Sequence, residues 1–156
     1  MLVVLSFIVL SVNAQSNKEK PFKMGIGFSG GLPVGDMSEA SLALGADLKV
    51  QYSITSALAI TLSAGYVDFP VEWQFGNAGL IPVMGGIQYN FYKKIYVSAQ
   101  AGVSFPSQGG DSSPFTFAPG IGVNVSNHFD LLLKYQSATE DGYNISFAGI
   151  RVGLTF

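Results

Sequence analysis

The chain contains no cysteine. That excludes a disulfide framework, a thiolate zinc site and a cysteine nucleophile. Histidine is nearly absent as well, with His128 the single example. Charge is scarce: 8 Lys and Arg and 10 Asp and Glu make up 12% of the chain, about half the usual share of a soluble domain. So few bases exclude a nucleic-acid binder that works through a basic face. Hydrophobic residues at 48% and aromatics at 13% exclude intrinsic disorder. Beyond the N-terminus no apolar run approaches the roughly 20 residues of a membrane-spanning helix. The 19 glycines are scattered through what would be helix interiors, where each costs about 1 kcal/mol relative to alanine.

What the chain does have begins with an address. Residues 1–10 read MLVVLSFIVL, and Ser11-Val12-Asn13-Ala14 follow, with the small Ala14 ahead of Gln15. This is the apolar core and small-residue cleavage site of a secretory signal peptide, although no Lys or Arg precedes the core. The expected organisation is a signal peptide over 1–14, a short polar periplasmic lead-in over 15–21 and one folded unit over 22–156.

That unit is written in period 2. Alternating segments fall at about 22–34, 41–54, 57–69, 80–91, 95–105, 115–126, 129–138 and 144–156. In the last, Ala148, Ile150, Val152, Leu154 and Phe156 share one face, and Gly149, Arg151, Gly153 and Thr155 share the other. The fifth sets Ile95, Val97, Ala99, Ala101, Val103 and Phe105 against Tyr96, Ser98, Gln100, Gly102 and Ser104. The second does the same with Leu42 to Ile54 and Ala43 to Ser53. Such alternation is a strand signal.

The two faces decide the environment. One is continuous, aliphatic and aromatic. The other is glycine-rich, and its charges are confined to Lys23, Asp47, Lys49, Asp130, Lys134 and Arg151. A soluble, lipocalin-like barrel would turn the apolar face inward, where eight strands leave only just enough room for side chains. Apolar outside and small or polar inside is the pattern of a transmembrane β-barrel, and barrel closure leaves no unpaired strand edge in hydrocarbon. Leu48, Leu62, Val97, Val123, Leu133 and Val152 are therefore expected to face lipid, with Val97 near the membrane middle.

Connections alternate in length. Thr55-Ser56, Tyr92-Lys93-Lys94 and Asn127-His128 read as tight turns. Residues 35–40, 70–79, 106–114 and 139–143 read as longer loops. Short periplasmic turns and longer external loops are the habit of outer-membrane barrels, which puts both termini in the periplasm. Aromatics gather near the strand ends: Tyr52, Tyr89, Phe91, Phe129 and Phe156 at one end, Tyr66, Trp73, Phe105, Phe115 and Tyr143 at the other. They suit two interfacial girdles.

With these features the chain resembles the small eight-stranded outer-membrane barrels of the OmpA/OmpX type, over about 22–156. The terminal segment IRVGLTF, ending in Phe156, is similar to the assembly signal of outer-membrane proteins. The resemblance implies an all-β, eight-stranded antiparallel up-and-down transmembrane β-barrel in the outer membrane of a Gram-negative envelope. It implies outer-membrane lipids and the barrel-assembly machinery as partners, the latter through the strand ending in Phe156. A monomer is expected, with no nucleic-acid partner. The role implied is structural or surface-interacting, without catalysis. A narrow, porin-like pore for ions or small solutes is the alternative, and a lipid-modifying barrel enzyme comes after it.

No catalytic, cofactor or metal motif competes with that reading. Ser126 and Asp130 flank His128, but a tight turn intervenes, and side chains share a strand face only at even spacing. Gly25-Ile26-Gly27-Phe28-Ser29-Gly30 resembles a phosphate loop without the Lys-Ser/Thr and helix that such a loop needs. Asn144-Ile145-Ser146 fits the N-glycosylation pattern by chance within a strand. Asp36, Glu39, Asp68, Glu72, Asp111, Glu140 and Asp141 crowd the long-loop pole, while Lys18, Lys20, Lys93 and Lys94 sit at the other. The acidic rim lacks the dense ligand spacing of a calcium loop.

The candidate site is a polar cluster in the lumen: Asp47, Lys49, Asp130, Lys134 and Arg151 all fall on the inward face. An unpaired charge in so narrow a barrel is costly. A tight connection near 140–141 sets Asp130 directly opposite Arg151, with Asp47 the alternative partner if the register slips.

Overall fold

A computed structural model describes residues 21–35, 42–70 and 78–156. Eight strands follow one another: β1 (Phe22–Gly35), β2 (Ala43–Ser53), β3 (Leu58–Phe69), β4 (Ala78–Tyr92), β5 (Ile95–Pro106), β6 (Phe115–Asn124), β7 (Phe129–Glu140) and β8 (Tyr143–Thr155). Each pairs antiparallel with the next, and β1 pairs with β8 to close the barrel. Among the described residues no helix is long and apolar enough to cross a membrane; the strands make the crossing. The expected leader and most of the lead-in lie outside the described residues, as do Lys18, Lys20, Asp36, Glu39, Glu72 and Trp73.

The alternation read from the sequence becomes the two sides of the wall. Leu48 is 61% exposed, Leu62 58% and Leu133 57%. Val97 also points out, while Val123 and Val152 are half-buried. The inward partners Ser29, Thr61, Ser63, Gln88, Tyr96, Ser104, Thr116, Asp130 and Arg151 are buried. Val97 is the third residue of β5, opposite Tyr89, so it sits near one end of the band and not at its middle. The middle of the band is occupied by residues such as Leu48, halfway along β2.

One end of the barrel carries the connections 36–42, 70–77 and 107–114 and is called the loop end. The other carries 54–57, Lys93-Lys94 and 125–128 and is called the turn end. The expected fourth long loop is not there. β7 and β8 run on to Glu140 and Tyr143, which face each other across Asp141-Gly142. Both turn residues have positive φ, 48° and 82°, the two-residue type I′ geometry that Asp-Gly favours. This turn sets the β7–β8 register two residues away from the expected one. Arg151 lies opposite Leu132, and Asp130 lies opposite Gly153.

Inward glycines give the large lumen groups their space. A Cβ on Gly27 would land on the Arg151 guanidinium, and one on Gly122 would land on the Tyr96 ring. Gly27→Ala should therefore lower refolding stability by about 1–3 kcal/mol, the usual cost of overpacking. Gly30→Ala, on the outer face with only Leu44 Cδ2 at 3.9 Å, should be close to neutral. A denaturant titration of both variants checks the contrast.

Candidate functional site: the lumen

The lumen is organised in layers. Its centre is Arg151, on β8. The Arg151 Nε donates to Asp47 Oδ1 at 2.9 Å, and Nη2 donates to Asp47 Oδ2 at 2.7 Å. This bidentate geometry is the strong form of an ion pair. Asp130 Oδ2 lies 3.7 Å from Nη1 on the other side and accepts a 2.6 Å hydrogen bond from the Tyr96 hydroxyl. The three charged side chains are almost sealed from solvent, at 5%, 16% and 7% for Arg151, Asp47 and Asp130. A chain of Asp47, Arg151, Asp130 and Tyr96 thus crosses the barrel from β2 to β5.

The other two expected lumen residues stand apart from this chain. Lys49 is on the turn-end side, with Nζ 3.4 Å from Gln88 Oε1. Lys134 is on the loop-end side, donating to Gln136 Oε1 at 3.1 Å and lying over the Phe147 ring at 5.3 Å. So the structure places all five inside the barrel and joins Asp47, Asp130 and Arg151. Asp130 meets Arg151 diagonally, two positions from the direct opposition expected, because the Asp141-Gly142 turn fixes the register. The bidentate carboxylate is that of Asp47. Tyr96 was no part of the expected cluster; its signal in the sequence is a lone large aromatic on an otherwise small and polar face.

Gln100 widens the polar layer by donating from Nε2 to Thr61 Oγ1 at 3.2 Å and Ser63 Oγ at 3.1 Å. Between these groups remains a space of about 30 Å³, room for roughly two waters. Toward the loop end the lumen becomes apolar. Ala43, Val67, Phe69, Leu80, Ala138 and Phe147 form a buried cluster, with Ile145 packed against it. Phe69 and Phe147 meet edge to face at 6.0 Å. This cap has no counterpart among the sequence expectations.

Toward the turn end the lumen opens. A cavity of about 620 Å³ reaches from Lys49 and Asp130 out to the turns.

His128 is exposed in the β6–β7 turn, its Nδ1 2.9 Å from the Thr155 carbonyl. Asp130 points away from it into the lumen, so Ser126, His128 and Asp130 form no triad. Gly25 to Gly30 lie within β1, without the helix that a phosphate loop requires. Among the described residues, no three His, Cys, Asp or Glu side chains are placed to hold a metal ion. Asp111 and Asp141 are exposed at the loop end, and Glu140 accepts a hydrogen bond from Ser112.

Solved structures share this architecture. Ail, the attachment invasion locus protein of Yersinia pestis, is 14% identical with a TM-score of 0.64, over 88% of this chain and 100% of that one. Neisserial surface protein A is 13% identical with a TM-score of 0.61, over 88% and 98%. The N-terminal β-barrel domain of Pseudomonas aeruginosa OprF is 14% identical with a TM-score of 0.59, over 89% and 100%. At these identities the likeness is one of fold. No curated protein matches the sequence. The sequence profile of the outer membrane protein beta-barrel domain matches residues 2–156, and the chain belongs to that family of bacterial outer membrane barrels.

Proposed function

We propose that this barrel has a structural or surface-interaction role in the outer membrane and neither conducts nor catalyses. One observation carries the reading: the lumen is blocked twice. The charge layer around Arg151 fills the middle, and the Phe69–Phe147 cap fills the loop end. Eight strands leave little lumen to begin with, and here side chains occupy it. On the outer side of that block, what remains available to partners is the lipid-facing wall and the loop end. The neighbours named for attachment and for the cell surface support a surface role.

On this reading residues 1–14 are removed as a leader. The turn end, with both termini, faces the periplasm, and the loop end faces outward. Outer-membrane lipids cover the apolar band, the assembly machinery engages the strand ending in Phe156, and the barrel works as a monomer. It uses no cofactor or metal and meets no nucleic acid.

The test is electrical. Protein refolded into a planar bilayer should produce no discrete conductance steps. Reproducible steps would instead support the narrow pore. Lipid A profiles of cells with and without the protein should be identical; a modified species present only with the protein would support an enzyme.

A further inference from the structure

The turn-end cavity differs from the rest of the lumen in charge. Its wall holds Lys23, Lys49, Lys93 and Lys94. Its one carboxylate among the described residues is Asp130, already held by the Tyr96 hydroxyl and flanked by Arg151. Four cations therefore face a space whose single anion is engaged from behind.

The lysines are set at different depths. Lys49, from the middle of β2, forms the floor and is half-buried. Lys23 is opposite Gln51 on the neighbouring strand, one step nearer the mouth. Lys93 and Lys94 make the β4–β5 turn at the rim. Donor capacity remains on these side chains, because an ammonium carries three N–H groups. Lys49 uses one on Gln88, and Lys94 reaches the Val125 carbonyl at 3.5 Å. Amides of Gln51, Gln88, Asn90 and Asn124 supply further donors on the same wall. At about 620 Å³ the cavity falls within the range of small-molecule sites, and low-dielectric walls around charge of one sign focus the field on the space between.

We infer that this vestibule binds a small multivalent oxyanion, a phosphate- or carboxylate-bearing solute taken from the aqueous phase, with Lys49 as the deep contact and Lys23, Lys93 and Lys94 as the funnel. A lipid headgroup does not suit the floor, since the barrel wall separates Lys49 from the bilayer. The charge layer above it makes the vestibule a dead end, so the solute enters and leaves by one mouth. The inference needs neither the proposed surface role nor the absence of conductance.

The probe is inorganic pyrophosphate, titrated into protein refolded in an uncharged maltoside detergent. Ionic strength is held constant with chloride, and binding is followed by amide NMR shifts. Saturable shifts centred on Lys49, Gln51 and Gln88 are expected, and added salt should weaken them. Lys49→Gln should bind about tenfold more weakly, and Lys49→Arg should retain binding, as charge and not shape is the requirement. Migration on an unboiled gel establishes that each variant is folded; Lys23→Gln serves if Lys49→Gln is not, and it too should weaken binding. Absence of saturation, shifts confined to Lys93 and Lys94, or unchanged affinity in the folded Gln variants would overturn the site.

Discussion

Replacing Arg151 by Gln should remove about 3–5 kcal/mol of refolding stability, as expected when one partner of a buried ion pair is lost. The loss comes from what is left behind. Asp47 is 16% exposed and takes both of its charged hydrogen bonds from Arg151. Without them its carboxylate stays in the barrel with no cation directly against it, and a desolvated charge is expensive. The double variant Asp47→Asn with Arg151→Gln should therefore be more stable than the sum of the single losses indicates. A coupling of about 0.5–3 kcal/mol is the usual size for groups in one network. Asp130→Asn should couple to Arg151→Gln more weakly, because its contact is 3.7 Å and it has Tyr96 as a second partner. Urea titrations of the four members of each cycle, read by mobility on unboiled gels, measure both couplings. Additive losses at Asp47 and Arg151 would remove the pair as a source of stability. Conductance adds a separate readout: Arg151→Gln alone should stay closed, since Phe69 and Phe147 still cap the loop end. Opening by that single change would show that the charge layer is the only barrier.

The wall of this barrel was legible because period 2 is a local property. Each of Leu48, Leu62 and Leu133 declares its side by its immediate neighbours, and closure of the barrel then follows from the need to hide strand edges. Register is less local. The Asp141-Gly142 pair carries the signal for a two-residue turn, whereas a tight connection centred one residue earlier, near 140–141, sets Arg151 against Asp130 instead of Leu132. Partner choice in the lumen is less local still. Asp47 and Arg151 are 104 residues apart and meet across β1, which separates their strands in the closed barrel. Alternation places both inside without saying which carboxylate the guanidinium reaches. The cap escaped for another reason. Period 2 already turns Phe69 inward with Thr61 and Ser63, and Phe147 inward with Arg151, but only the closed barrel brings the two together from β3 and β8 into one cap.

An arginine at Leu48 should cost about 2–4 kcal/mol, whereas the same change at Val97 should cost about 0–1 kcal/mol, because the penalty on a lipid face depends on depth. Leu48 is 61% exposed at the middle of β2, and its neighbours across the strands, Ile26 and Ala64, are apolar too. A guanidinium there has hydrocarbon on every side and must snorkel along the wall to reach a headgroup. Val97 is near the turn end, beside Tyr89, within easy reach of the interface. Ser98→Arg provides the inward control. It escapes the lipid penalty, but it adds a cation and bulk to a layer that already holds Lys49, Lys134 and Arg151 around a space of about 30 Å³. Its cost should therefore be the same in bilayers and in detergent, while the cost at Leu48 should shrink in the softer, more hydrated micelle. Refolding titrations of the three variants in both environments separate these origins. Equal penalties at Leu48 and Val97 in bilayers would show that the apolar band is not centred on the middle of β2, and with that the depth assigned to every outward residue would have to move.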